Sequence, residues 1–410
     1  MQSNLAIHGG KPVRNRPFIS WPVINDEECN ALVDVYKSGV WGSIAGSRVH
    51  AFENDFAAYH DAEYGIAVVN GTVALRIALM AAGIGEGDEV IVPPYTFLAT
   101  ASAVVETNAV PVFVDIEPDT YCMDPGKFEE AITERTKAVI VVHLAGLAAD
   151  MDKIMAIAGK RGIVVVEDAA HAHGGTYGKR KLGSIGDMGC FSFQSSKNMT
   201  SGEGGIIITN NKDYADKCWS IHNCGRTREG AWYEHVTIGG NYRMTEFQGA
   251  ILGCQMRKLG AQFVLRAVNA DYLDTELAKI SGIMPMNGER PSGTMNARHL
   301  YIFRYDEAVF EVPRKRFLSA LSAEGIPCSE GYGIPLYEQP LFTNKAFGPY
   351  TGYRLTNPDI DYSKVFLPVT ERACKNEGCW IPHSVLLGDT HDMDDIVNAV
   401  CKIYEHRGEL

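Results

Sequence analysis

One lysine in this 410-residue chain stands where a reactive amine would be useful. Lys197 lies in Phe191-Ser192-Phe193-Gln194-Ser195-Ser196-Lys197-Asn198-Met199-Thr200-Ser201-Gly202-Glu203-Gly204-Gly205, among small polar residues and just before a Gly-rich turn, where a backbone approaches a ligand closely. Alone it reads as a solvated loop residue. Asp168 changes that reading. It closes the run Ile163-Val164-Val165-Val166, where a carboxylate is costly to bury without a cation or hydrogen-bond donors, although as a purely structural residue it would cap the segment starting near Ala169. A lysine amine and a strand-end acid are together what a Schiff-base cofactor requires. The lysine forms an imine with an aldehyde, and the acid keeps a pyridine nitrogen protonated so that the ring can accept electrons.

Such a cofactor also needs an anion cradle. Gly71-Thr72 falls between the run Ile66-Ala67-Val68-Val69 and a helical segment built on Ala74, Leu75, Ala78, Leu79 and Ala82. Free N–H groups at that helix start favour a phosphate, and the Ser192 hydroxyl adds a donor. Phe97, after Pro94-Tyr95-Thr96, is an aromatic that could lie against a flat ring, though core packing is the ordinary use of such a residue.

These groups must be positioned by a common scaffold. From about residue 63 to 210, short apolar runs alternate with helix-like segments: Ile66–Val69, Val90–Val92, Val112–Val114, Val139–Val142, Ile163–Val166 and Ile206–Ile208. Near-continuous apolar strands with helices between them predict an α/β fold with a mostly parallel sheet covered on both faces, and ligands bind at the carboxyl ends of such strands. Beyond residue 240, Phe247, Ile251, Leu259 and Phe263 fall on one stripe of a long helix, with Met256 nearby and Gly249, Gly253 and Gly260 against it. The chain from about 270, punctuated by Pro335, Pro340 and Pro368, reads as a smaller α+β domain. The expected organisation is an N-terminal arm (1–25), a large domain (26–268) and a small C-terminal domain (269–410).

Composition narrows the function classes. With 38 Lys+Arg against 50 Asp+Glu, a net charge of −12 and no basic cluster, nucleic acid is a poor partner. The first residues lack the apolar core of a signal peptide and no stretch nears the ~20 apolar residues of a membrane span, so a cytoplasmic protein with no membrane partner is expected. The ten cysteines form no CxxC pair, and Cys374/Cys379 and Cys218/Cys224 match no zinc spacing. Reduced, mostly buried thiols and no metal are expected. Gly83-Ile84-Gly85-Glu86-Gly87 approaches a dinucleotide fingerprint, but its third spacing is wrong and it follows a helix. Walker A, HExxH and GxSxG motifs are absent. A non-catalytic sensor on the same scaffold would have no need of Lys197 and Asp168 together.

The motifs Asn70-Gly71-Thr72-x-Ala74-Leu75, Gly87-Asp88-Glu89-Val90-Ile91-Val92-Pro93, Thr96-Phe97, Glu167-Asp168-Ala169-Ala170-His171-Ala172-His173-Gly174, Ser192-Phe193 with Lys197, Gly202-Glu203-Gly204-Gly205 and Gly240-Asn241-Tyr242-Arg243-Met244-Thr245-Glu246 resemble those of the DegT/DnrJ/EryC1/StrS sugar aminotransferases. The resemblance runs from about residue 35 to 270 in order and spacing. It implies pyridoxal 5'-phosphate as cofactor and the aspartate aminotransferase fold, with a mostly parallel sheet of the seven-stranded type. Cys379-Trp380-Ile381-Pro382-His383-Ser384-Val385-Leu386-Leu387, Val142-His143-Leu144-Ala145-Gly146 with Ala149-Asp150-Met151-Asp152, and Phe193-Gln194-Ser195-Ser196-Lys197 are similar to one branch. That branch contains glutamine-dependent aminotransferases of scyllo-inosose and related cyclitol ketones, and aminohydroxybenzoate synthase.

The resemblance implies roles position by position. Lys197 would be the Schiff-base lysine and Asp168 the partner of the pyridine nitrogen. Gly71, Thr72 and Ser192 would bind phosphate, and Phe97 would stack on the ring. His171, where much of the family has Gln, would stand by the phenolic oxygen. Asn241 would reach the phosphate of a neighbouring subunit, implying a homodimer with shared active sites. The expected activity is ping-pong transfer of an amino group from an amino acid, L-glutamine in this branch, to a keto-cyclitol or keto-sugar. A nucleotide-linked keto-sugar aminotransferase using L-glutamate, or an aminohydroxybenzoate synthase-like enzyme, is the alternative. Pocket walls are expected from Arg226, Arg228 and Tyr233 and from the region of Tyr332 and His383. The fork geometry of an arginine pair suits a donor carboxylate or a diphosphate equally.

Overall fold

A computed structural model describes residues 4–352 and 360–410. Its centre is a seven-stranded sheet in the order β1-β9-β8-β5-β4-β2-β3. The strands are β1 (Tyr64–Val68), β2 (Glu89–Val92), β3 (Val110–Phe113), β4 (Thr136–Val142), β5 (Val164–Asp168), β8 (Met188–Ser192) and β9 (Gly205–Thr209), with a two-stranded hairpin, β6 (Thr176–Tyr177) and β7 (Arg180–Lys181), between β5 and β8. Neighbours from β8 to β3 are parallel, and β9 alone runs opposite to both of its neighbours. Six of these strands coincide with the apolar runs of the sequence. β8 does not: Met188-Gly189-Cys190-Phe191-Ser192 has no β-branched residue, yet it is buried throughout.

Alternate residues of each strand feed two cores, as the period of 2 requires. Val139, Val141, Val165, Phe191 and Ile206 meet α2 (Arg48–Tyr59), α6 (Met151–Arg161) and the first half of α8 (Glu246–Leu277). Ala138, Ile140, Val166, Cys190 and Ile207 meet α3 (Gly71–Ala81), α4 (Ala99–Glu106) and α7 (Lys212–His222) on the other face. Helices α1 (Asp26–Ser38) and α5 (Pro125–Glu130) complete the large layer. Leu336, Phe342 and Tyr362 also pack into the second core, so part of the C-terminal segment covers the main sheet.

The long helix forms despite its glycines. α8 runs unbroken for 32 residues, started by a capping box of Thr245 and Gln248, and the expected boundary at 268/269 falls inside it. Gly253 and Gly260 have open space where a side chain would be, so they cost propensity without breaking packing. Past that point Ala270, Leu273 and Leu277 join a third core. It holds the sheet β10 (Ile283–Pro285), β11 (Leu300–Tyr305) and β12 (Gly378–Pro382), and the C-terminal helix Thr390–Glu405. β11 pairs antiparallel with β12, with Leu300 opposite Pro382, which brings His299 and His383 to the same end of that sheet.

All ten cysteines are free, and Cys122, Cys190, Cys218, Cys254, Cys374 and Cys379 are buried. Among the described residues no helix is long and apolar enough to cross a membrane, and no group of three or more His, Cys, Asp or Glu is placed to hold a metal ion.

Candidate active site

The carboxyl ends of the parallel strands open on a cavity of about 580 Å³, lined by Gly71, Thr72, Phe97, Asp168, His171, Ser192, Lys197, Tyr332 and His383. After β1, Asn70 caps α3 by accepting from the Val73 N–H at 2.9 Å, which leaves the N–H groups of Gly71 and Thr72 at the mouth of the helix. A Cβ on Gly71 would sit 2.8 Å from Ser192 Cβ, and one on Gly205 would sit 2.5 Å from the Asn70 backbone. Two glycines thus let β1, β8 and β9 close around the cradle.

At the end of β5, Asp168 is buried. Its Oδ2 accepts from Thr100 Oγ1 at 2.8 Å and its Oδ1 from the Ala170 N–H at 3.3 Å. Burial raises its pKa against the pull of those hydrogen bonds, of Lys197 and of His143. Below it, His143 accepts from the Ala149 N–H on Nδ1 and so donates from Nε2 to Glu167 at 2.8 Å. Burial pushes the Glu167 carboxyl up, yet His143 and the N–H groups of Gly183 and Gly186 hold it below its ordinary value.

Lys197 is carried by the loop after β8. That loop is tied by the Phe193 N–H to the Gly204 carbonyl (2.8 Å), by the Ser201 N–H and the Thr200 hydroxyl to the Phe193 carbonyl, and by Asn198 Nδ2 to the Ala297 carbonyl (2.8 Å). Burial lowers the Lys197 amine to about 8, opposed by Asp168. His171 stays neutral because burial, then Lys197 and two histidines, push it well below its usual range, and its Nδ1 accepts from the Ala145 N–H at 3.2 Å. Phe97 is 62% exposed, so its ring is not core packing.

A pyridine-ring phosphate with an aldehyde fits this donor set. Asp168 is a buried carboxylate with no cation within hydrogen-bond distance among the described residues, the helix mouth at Gly71-Thr72 with Ser192 suits an anion, and Lys197 supplies the amine.

Four predicted residues are elsewhere on this chain. Arg228 lies over Trp219 and 3.8 Å from Asp216, Arg226 lies over Trp232, Tyr233 is 78% exposed, and Asn241 forms a backbone bridge with Asn223 outside the cavity. They stand together on a surface stretch with exposed Trp232, Val236 and Ile238. Three residues that the sequence did not single out do enter the site. Thr100 holds Asp168, His299 lines the cavity, and so does Trp380, whose Nε1 donates to Tyr95 at 3.1 Å.

Fold and cavity together define an enzyme that presents a buried amine, a buried acid and an anion cradle to one flat ligand. Comparison with known proteins agrees. The pattern of the DegT/DnrJ/EryC1/StrS aminotransferase family matches residues 22–401. The chain is 39% identical over 432 residues to the L-glutamine:2-deoxy-scyllo-inosose aminotransferase of Streptoalloteichus tenebrarius, covering 100% of both chains. The crystal structure of 3-amino-5-hydroxybenzoic acid synthase superposes with a TM-score of 0.86 at 31% identity, over 97% of this chain and 100% of that one. NtdA from Bacillus subtilis, solved with bound cofactor PMP, superposes with a TM-score of 0.81 at 28% identity, over 96% of this chain and 86% of that one. The chain belongs to the DegT/DnrJ/EryC1/StrS aminotransferase family. It is an aminotransferase of the pyridoxal-phosphate-dependent class.

Proposed function

We propose that this enzyme moves an amino group from L-glutamine to the ketone of a cyclitol of the scyllo-inosose type, in two stages that use one cavity. The observation that carries the reading is the meeting of Lys197 and Asp168 in a cavity whose lining, among the described residues, holds no arginine. Relatives at about two-fifths identity over the whole chain bear names of that activity.

Pyridoxal phosphate, when bound, supplies an aldehyde that condenses with amines and a ring that takes up an electron pair. Gly71, Thr72 and Ser192 would hold its phosphate, Phe97 its ring face, and His171 Nε2–H its ring oxygen. Asp168, fixed by Thr100 and Ala170, would keep the ring nitrogen protonated. Lys197 is the base: its lowered pKa leaves an appreciable neutral fraction near pH 8, able to take a proton from the donor's α-carbon and deliver it again. Tyr332, Trp380 and His383 wall the substrate side.

A donor's α-carboxylate needs a cation, and among the described residues the lining offers only Lys197, which the cofactor would engage. The exposed stretch from Arg226 to Asn241 would supply it across a homodimer in the cytoplasm, Asn241 reaching the partner's phosphate cradle and Arg226 or Arg228 the donor carboxylate. A second acidic group, as in glutamate or a nucleotide diphosphate, would find no further match among the described residues of this lining. The domain junction expected at 268/269 would fall within α8, a reading supported by Ala270, Leu273 and Leu277 joining the third core.

Two experiments test the reading. Lys197→Ala should abolish the visible band of the bound cofactor, and a normal band in that variant would sink the role of Lys197. Glutamine-treated enzyme should recover that band on adding keto-cyclitols and not nucleotide keto-sugars; the reverse order would overturn the acceptor assignment.

A further inference from the structure

Two histidines face the cavity with opposite polarity. His171 and His299 stack with ring centroids 4.1 Å apart and planes 30° apart. His171 Nδ1 accepts from a backbone N–H, so in the neutral ring its Nε2 carries the proton. His299 is set the other way. Asn198 Nδ2 donates to the Ala297 carbonyl at 2.8 Å, which can only accept, so Asn198 Oδ1 must face His299 Nδ1 at 3.0 Å. Nδ1 therefore carries the proton, and Nε2 keeps a lone pair with no partner among the described residues while the ring lines the cavity.

The backbone that holds this pair is strained. Ala145 (φ 56°) and Arg298 (φ 51°) both occupy the left-handed region, which side chains other than glycine disfavour. They sit where two loops meet: the His299 N–H donates to the Ala145 carbonyl at 2.8 Å, the Ala297 N–H to the Gly146 carbonyl at 2.9 Å, and the Ala145 N–H to His171. Arg298 is fixed by Asp274 at 2.7 Å. One strained junction thus sets both rings. Burial first, then His171, Lys197, His383 and His173, keep His299 well below its usual pKa, so the lone pair is retained at neutral pH.

We propose that His299 Nε2 is a specificity-determining hydrogen-bond acceptor for the hydroxyl next to the ketone carbon of the acceptor substrate. This rests on the acceptor being a polyhydroxylated ketone, as read above. The reacting carbon must approach Lys197, whose charge is felt at His299. A hydroxyl oxygen on the adjoining ring carbon is two bonds from that centre, whereas the amide oxygen and nitrogen of glutamine are four bonds from its α-carbon. A lone pair beside the lysine selects an O–H at the nearer place.

The test separates the two half-reactions of the holoenzyme. His299→Asn keeps an N–H toward Asn198 and loses the distal acceptor, and His299→Gln restores a distal carbonyl. In the ketone half-reaction, His299→Asn should lower kcat/KM about tenfold through KM, the loss expected for one neutral hydrogen bond. The same variant should match wild type on an analogue lacking the adjacent hydroxyl, and His299→Gln should recover most of the loss. Glutamine should convert the cofactor in all three proteins at similar rates, which also reports an intact site. Equal losses on both ketones, or a loss confined to the glutamine half-reaction, would overturn the assignment. If the acceptor reading itself were wrong, wild type would fail with every keto-cyclitol before any variant was compared.

Discussion

Replacing Lys197 by methionine in the cofactor-free protein should stabilise it. The side chain keeps an unbranched apolar stem and loses the terminal ammonium. Burial lowers the amine from 10.5 to about 8, which corresponds to about 3 kcal/mol of penalty on the charged form. Below about pH 8 the lysine is charged both folded and unfolded, so the whole penalty is present. Between about 8 and 10.5 the folded state releases its proton while the unfolded chain keeps one, and the penalty fades; above 10.5 it is gone. Water entering the cavity reduces the penalty, and removing the ammonium leaves Asp168 without its nearest cation, so the expected gain near pH 7 is about 2 kcal/mol. Urea unfolding of wild type and Lys197→Met, cofactor-free and at one protomer concentration, near pH 7 and near pH 10.5, measures it directly. Equal stability near pH 7, or a gap that does not shrink as pH rises, would refute the claim that the fold spends stability to hold a poised amine.

Asp168→Asn should cut turnover by at least about a hundredfold while the cofactor still binds, because an amide cannot keep the ring nitrogen protonated; single-turnover absorbance with glutamine reads this. In Gly71→Ala the new Cβ, 2.8 Å from Ser192 Cβ, should weaken cofactor affinity by about tenfold or more in a fluorescence titration, with an unfolding cost of about 1–2 kcal/mol. Glu167→Gln should destabilise by about 3 kcal/mol in urea, since the carboxylate accepts from Gly183 (2.7 Å), Ile185 (2.7 Å), Gly186 (2.6 Å) and His143, and an amide nitrogen cannot. Ile238, 84% exposed beside Trp232 and Val236, should become an association defect as Ile238→Asp, seen as a shift toward monomer in sedimentation equilibrium.

Asp168 and the Gly71-Thr72 cradle were legible because they stand at the ends of strands of strong pattern, and Ser192 and Lys197 because of the small polar and Gly-rich residues around them. Asp168, Ser192 and the Gly71-Thr72 cradle converge once β1, β5 and β8 are parallel neighbours or share β9. β8 itself was hidden, since it has no β-branched residue and its Gly189 stands where a side chain would not fit. A Cβ on Gly189 would strike the Gly183 carbonyl. His299 carried no local signal. Its role depends on Asn198, about a hundred residues earlier, and on Ala145 earlier still, contacts that no spacing encodes. Arg226, Arg228 and Tyr233 were expected at the pocket wall, but this chain places them on its surface outside the cavity, and the packing of one chain holds no signal for a wall that another would supply.

Helix α8 gives the molecule a fixed gauge. Glu246, at its start, accepts from the Arg48 and Val49 N–H groups, while Asn269 donates to the Leu386 and Gly388 carbonyls, and Leu277 ends in the third core. Adding one residue between Leu259 and Ala270 would turn the far half by about 100° and advance it by about 1.5 Å. Leu273 and Leu277 would then leave their core, and β11 and β12 would carry His299 and His383 away from Lys197. Register in a helix that never touches the cavity therefore sets the spacing of the groups that face it.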